Sequence, residues 1–241
     1  MSTRPPSSLQ MVGFDADDTL WNSEIYFQAA HAEFERILSA YIDITDIRVH
    51  DRLLNTERVN IRLFGYGAKG MTLSMVETAV ALTDARITGA DIHRIVDLGK
   101  GILRQPVELL PGVREAVTAV AARYRIVMIT KGDLFHQERK VAESGLAELF
   151  HRIEIVSEKD EHSYARLLRE FEVPAEAFAM VGNSLKSDIA PVLALGGWGV
   201  HVPYHITWDL EHAELDTSHP RLAVLTTLDQ VPTALERFAA G

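Results

Sequence analysis

A chain of 241 residues, 47% hydrophobic and 24% charged, has room for one large domain or a main domain with an insert, and its composition is that of an ordinary globular protein. With 24 Lys and Arg against 34 Asp and Glu, the formal charge of −10 argues against a nucleic-acid surface, which needs concentrated positive charge, but leaves a small anionic ligand open. The absence of cysteine excludes disulfides, thiolate zinc sites and a cysteine nucleophile.

The first ten residues, MSTRPPSSLQ, lack the apolar core of a secretory signal and read as a loose tail. No run of about 18 apolar residues is present, so no membrane span and a cytoplasmic location are expected. Met11-Val12-Gly13-Phe14 then reads as a buried strand that ends in Asp15, with Asp17, Asp18 and Thr19 just beyond. In an open α/β sheet, ligands sit beyond the carboxyl ends of such strands. If the strand continued, Asp15 and Asp17 would project the same way, and two adjacent carboxylates call for a shared proton or a hard cation such as Mg²⁺. A plain Asp-rich turn is the competing reading.

After Trp21 the apolar spacing changes to that of helices, over residues 24–40, with Asn22 or Ser23 as N-cap, then over about 46–63, 71–84 and 91–104. Nothing between 23 and 105 reads as a strand, so this stretch forms an all-helical insert. Beyond Pro111-Gly112, a helix from Val113 to Arg123 precedes regular alternation. Strands are expected at 125–130, 152–156, 178–182 and 198–202, with helices near 134–145, 161–171 and 188–195 between them. Such alternation implies right-handed crossovers and a Rossmann-like, mostly parallel sheet. The tail from 205 is polar, with an edge strand expected at 222–225 and a helix at 231–238. His201, His205, His212 and His219 match no metal-ligand spacing and read as surface histidines.

A parallel sheet gathers the residues that follow its strands: Asp15 and Asp17, Thr130-Lys131-Gly132, Ser157-Glu158-Lys159, and Gly182-Asn183-Ser184 with Asp188. In type, order and spacing these resemble the four motifs of the haloacid dehalogenase-like hydrolases: Asp15-x-Asp17-x-Thr19 the first, Thr130 the second, Lys159 the third, and Gly182 to Asp188 the fourth. The resemblance implies a catalytic core at 1–22 and 106–241 and a helical cap at 23–105 that closes on substrate.

The resemblance further implies a Mg²⁺-dependent phosphatase acting on a small phosphorylated metabolite, as a monomer or homodimer. Asp15 would attack phosphorus, and Asp17 would serve as general acid and then base. Thr130, Lys131, Gly132 and Lys159 would hold the phosphate, and Asp15, Asp17 through its carbonyl, Asn183 and Asp188 would hold the metal. Asn183 departs from the usual Asp and brings no charge, so a metal is expected to bind less tightly unless Asp188 compensates.

Each assignment has a plainer competitor. Thr130 would otherwise cap a turn, and Lys159 would be a solvated lysine in SEKDEH; Lys186 is its rival, while Lys131 reads as a substrate-facing or surface group. In the insert and just before it, Trp21, Tyr26, Arg62, Phe64, Tyr66 and Lys69 are candidates for substrate recognition, with packing as the alternative. Other functions on the same pattern are a phosphomutase, a 2-haloacid dehalogenase, for which Asp17 has no use, a phospho-accepting signalling module, and a non-catalytic phosphate-ligand binding protein.

Overall fold

The computed structural model describes residues 9–44 and 48–240. Residues 1–8 of the expected ten-residue tail and the start of the second expected helix, at 46–47, lie outside the described residues; Leu9 is buried and the Gln10 N–H donates to the Ala177 carbonyl at 2.9 Å, so the end of that tail is not loose. Two compact units are present, one of residues 1–22, 107–131 and 138–241, the other of residues 23–106 and 132–137.

The first unit holds a six-stranded parallel sheet made of β1 (Met11–Phe14), β2 (Arg125–Lys131), β3 (Arg152–Val156), β4 (Phe178–Gly182), β5 (Trp198–His201) and β6 (Leu222–Val224), in the order β3-β2-β1-β4-β5-β6. This is the α/β fold that the alternation implies. Strand residues sort by parity: Val12, Phe14, Ile126, Met128, Ala179 and Val181 pack in one core with α5 (Val113–Ala121) and α9 (Val231–Ala240). Met11, Val127, Ile129, Phe178 and Met180 pack in the other with α7 (Glu161–Phe171) and α8 (Ala190–Ala194). Burial on both faces explains why these strands read as continuous apolar runs. It also sets where functional residues point: by the same parity Asp15 and Lys131 fall on the side of α7 and α8, and Thr130 on the side of α5 and α9.

The second unit contains α1 (Glu24–Leu38), α2 (Arg48–Phe64), α3 (Ala68–Leu82) and α4 (Gly89–Leu103), and no strand among its described residues. Its core is built on Phe34, Leu38, Met71, Met75 and Ile95. Ser23 occupies the N-cap of α1 without a side-chain cap bond, whereas Thr88 caps α4 by accepting the Asp91 N–H at 3.1 Å. α6 (Leu134–Ser144) precedes β3 in the chain.

The expected helix at 188–195 is not continuous. Residues 185–189 form a wide π-type turn, with the Ile189 N–H donating to the Ser184 carbonyl at 3.3 Å, before α8 starts. Pro191 supplies a reason, since it has no N–H to offer the carbonyl four residues earlier. That carbonyl, on Ser187, accepts instead from the buried Tyr164 hydroxyl at 3.2 Å.

Gly13 lies where β1 meets the long side chains of β4: a Cβ there would stand 2.7 Å from both Met180 Sδ and Phe178 Cζ. Gly13→Ala is therefore expected to cost about 1–3 kcal/mol through overpacking, read as a lower urea midpoint at unchanged slope.

Candidate active site

β1 delivers Asp15 to the carboxyl edge, and the ladder extends one residue further, the Asp15 N–H donating to the Val181 carbonyl at 2.9 Å. Lys159 arrives from β3. Its own N–H is bound by the Glu158 carboxylate at 3.0 Å, and Asp160 then caps α7 by accepting the Ser163 N–H at 2.8 Å. The lysine is thus fixed at the joint between strand and helix. Its buried ammonium donates to Asp15 Oδ1 and, at 2.8 Å, to Asp188 Oδ1.

Asp188 is brought back over the end of β4 by the wide turn. The Ser184 hydroxyl accepts the Ser187 N–H at 3.0 Å, and the Ser184 N–H donates to Asp188 Oδ2 at 3.0 Å. Gly182 is required by this return, because a Cβ at that position would stand 2.3 Å from Asp188 Oδ2. The Thr19 hydroxyl lies 2.9 Å from Asp15 Oδ2 and 3.1 Å from Asn183 Oδ1, and accepts the Asn183 N–H at 3.1 Å. With one proton, it serves one of the two oxygens at a time.

Two carboxylates share one ammonium in a buried place, which leaves an excess of negative charge. Burial raises the Asp15 pKa from 3.8 to about 7; Lys159 opposes the rise, and Asp188 and Asp17 add to it. Burial alone would lower the Lys159 pKa, but the two carboxylates beside it overcome this and raise it. Such a donor set fits a hard divalent cation, which takes oxygen ligands and compensates the surplus charge. Among the described residues no group of three or more His, Cys, Asp and Glu is arranged to hold a metal, so amide and backbone oxygens would have to complete the shell.

Asp17 does not follow the strand. β1 stops at Phe14, and Asp18 turns the chain in the left-handed region at φ 62°, so the expected strand alternation with Asp15 is lost. The Asp17 carboxylate is instead gripped by Lys140, at 2.6 and 2.7 Å, and by the Trp21 indole N–H at 2.6 Å.

Thr130 is buried on β2, next to the strand's last residue. Lys131 is not a free surface group: its ammonium contacts Ser187 Oγ at 2.9 Å and Glu211 at 2.6 Å. Glu211 also accepts from the Ser184 and Ser187 hydroxyls. Burial would raise the Glu211 pKa, but Lys131 and these hydrogen bonds bring it below its usual value. Lys186 is exposed on the Leu210 carbonyl at 2.6 Å, and it is Lys159 that meets Asp15. Gly132 groups with the second unit, where Lys69 binds both Asp133 oxygens at 2.9 Å.

His201 is not a surface histidine. Its ring nitrogen is partly buried 3.0 Å from the Asn183 carbonyl, which only accepts, so that nitrogen carries the proton. Sequence reasoning missed Lys140 and Glu211. For Lys140 a signal existed, since LFHQERKVAES has too few apolar residues to bury a helix face without polar ones. Glu211 lies in an aperiodic polar loop that offers none.

A family model described as haloacid dehalogenase-like hydrolase matches residues 9–196. Among solved structures, the chain is 54% identical to a haloacid dehalogenase-like family hydrolase from Xanthomonas campestris, with a TM-score of 0.89 and 97% of each chain covered. It shares its fold with a predicted phosphoglycolate phosphatase from Haemophilus somnus at 17% identity and a TM-score of 0.64, covering 94% of this chain and 98% of that one. A 2-haloacid dehalogenase from Pseudomonas syringae is similar at 19% identity and a TM-score of 0.63, covering 95% and 99%. The comparison with curated proteins gives no significant match.

Gly182→Ala is expected to push Asp188 off the Lys159 ammonium and destabilise the fold by about 2–4 kcal/mol, through overpacking and a broken buried pair; thermal unfolding measures it. A second expectation concerns pH. In the metal-free protein Asp15 binds its proton more tightly folded, at about 7, than unfolded, near 3.8, so its burial costs nothing at pH values below both and the cost grows as pH rises between them. Asp15→Asn removes that cost. Without added metal, the variant is expected to gain about 1–3 kcal/mol over the native protein at pH 8 and to lose this advantage by pH 4, as measured by urea unfolding.

Proposed function

The chain belongs to the haloacid dehalogenase-like hydrolase family, and we propose that within it the protein is a Mg²⁺-dependent phosphatase, hydrolysing a small phosphate monoester through an aspartyl phosphate on Asp15. The observation that carries this reading is the second carboxylate, Asp17, kept at the mouth of β1 on a seat of its own. Displacing a halide from carbon needs no proton donor, whereas an alkoxide leaving a phosphate does. Residues 1–22 and 106–241 are assigned to the catalytic core and 23–105 to a cap that selects substrate.

In this reading an Asp15 oxygen forms a bond to phosphorus as the bond to the ester oxygen breaks, and Asp17 gives that oxygen a proton. A water then attacks the same phosphorus, Asp17 takes its proton, and inorganic phosphate leaves with the Asp15 carboxylate restored. Lys159 faces the nucleophile throughout and offsets charge on the transferring group, and Thr130 with the backbone N–H of Lys131 binds phosphate oxygens. The side-chain oxygens of Asp15, Asn183 and Asp188 and the Asp17 carbonyl would hold Mg²⁺, which would supply the positive charge that lets a carboxylate approach a phosphate dianion. Asn183 is neutral, so Asp188 would carry more of the affinity for the ion.

The native protein is expected to turn over p-nitrophenyl phosphate with Mg²⁺ and to stop on chelation, and Asp15→Asn is expected to lower kcat by about 10³-fold or more. Metal-independent halide release from 2-chloropropionate would overturn this reading in favour of a dehalogenase. Tight phosphate binding without turnover would favour a binding protein.

A further inference from the structure

Lys140 lies on α6 beside buried Val141 and Ser144, a position where an apolar side chain would be cheaper. Its side chain is 9% exposed, while that of its partner Asp17 is 28% exposed. Removing an ammonium from water costs several kcal/mol, and a carboxylate that reaches water does not need the lysine to satisfy it. What the pair adds is orientation. The ammonium spans both Asp17 oxygens at 2.6 and 2.7 Å, and the indole of fully buried Trp21 fixes one of the same oxygens at 2.6 Å. Trp21 is itself locked by backbone pairing with Asp17 and Leu109, so the carboxylate is held from two rigid directions.

We propose that Lys140 is a positioning residue for Asp17, setting the angle from which that carboxylate exchanges its proton with the leaving oxygen and then with water. The inference rests on the phosphatase reading, in which Asp17 acts in both half-reactions. A misdirected Asp17 slows both, so the defect belongs in kcat and not in substrate binding.

The test compares Lys140→Met with the native lysine, in the native and the Asp17→Asn backgrounds, with p-nitrophenyl phosphate and Mg²⁺. p-Nitrophenolate departs without a proton, which keeps the Asp17→Asn rates measurable. Lys140→Met is expected to lower kcat about 10- to 100-fold, as a displaced catalytic group does, with KM unchanged or lowered in step, because slowed hydrolysis of the aspartyl phosphate lets that intermediate accumulate. In the Asp17→Asn background the same change is expected to alter kcat by less than about twofold, since the group that Lys140 serves is gone. Equal losses in both backgrounds, or a loss confined to KM, would overturn the proposal. If Lys140→Met does not unfold cooperatively, Lys140→Gln carries the same comparison. No turnover by the native protein would bring down the phosphatase reading and this inference with it, which separates that failure from a failure of Lys140 alone.

Discussion

The structure of the site depends on a single buried ammonium. Lys159 stands between Asp15 and Asp188, residues 144 and 29 positions away in sequence, in a place from which water is nearly excluded. An unpaired charge there would be prohibitive, and a single carboxylate would neutralise it. The second carboxylate gives the cluster two acids for one base, and burial with that crowding raises the Asp15 pKa to about 7.

The surrounding turns serve this contact. Asp160 caps α7 directly after Lys159, Ser184 caps the wide turn that returns Asp188, and Gly182 leaves the space into which Asp188 folds. Pro191 frees the Ser187 carbonyl for Tyr164, tying the turn to the helix that begins beside Lys159. A second polar knot runs alongside, where Lys131, Ser184, Ser187 and Glu211 bind the loop after β5 to the fourth strand end. Some of these supports are local caps, one is the room a glycine leaves, and the rest are hydrogen bonds between segments already placed by the sheet.

Fold and chemistry are joined by strand parity. The alternation that sends Met11 and Gly13 toward α7 and α8 also sends Asp15 there, onto the side where Lys159 and Asp188 are presented. Lys131 follows the same rule from β2 and reaches Ser187. Family membership accounts for a hydrolase on this scaffold, while the distant structures it resembles carry the names of both phosphatases and dehalogenases. Asp17, just past β1, is the side chain on which the proposed reading separates the two.

By itself the sequence determined the alternation of strands and helices, the parallel sheet, the helical stretch after β1 and the residues that end each strand, because apolar periodicity and turn chemistry are local. It could not give the direction of the Asp17 carboxylate, which depends on a left-handed turn at Asp18 and on a lysine 123 positions away. Nor could it show that Lys131 is taken by Glu211, 80 positions on, or that the fourth motif opens into a wide turn before α8. Those outcomes rest on which charged groups meet once the chain is folded. Charge pairing between distant segments has no period to read; it is decided by the tertiary packing that removes water from around the pair.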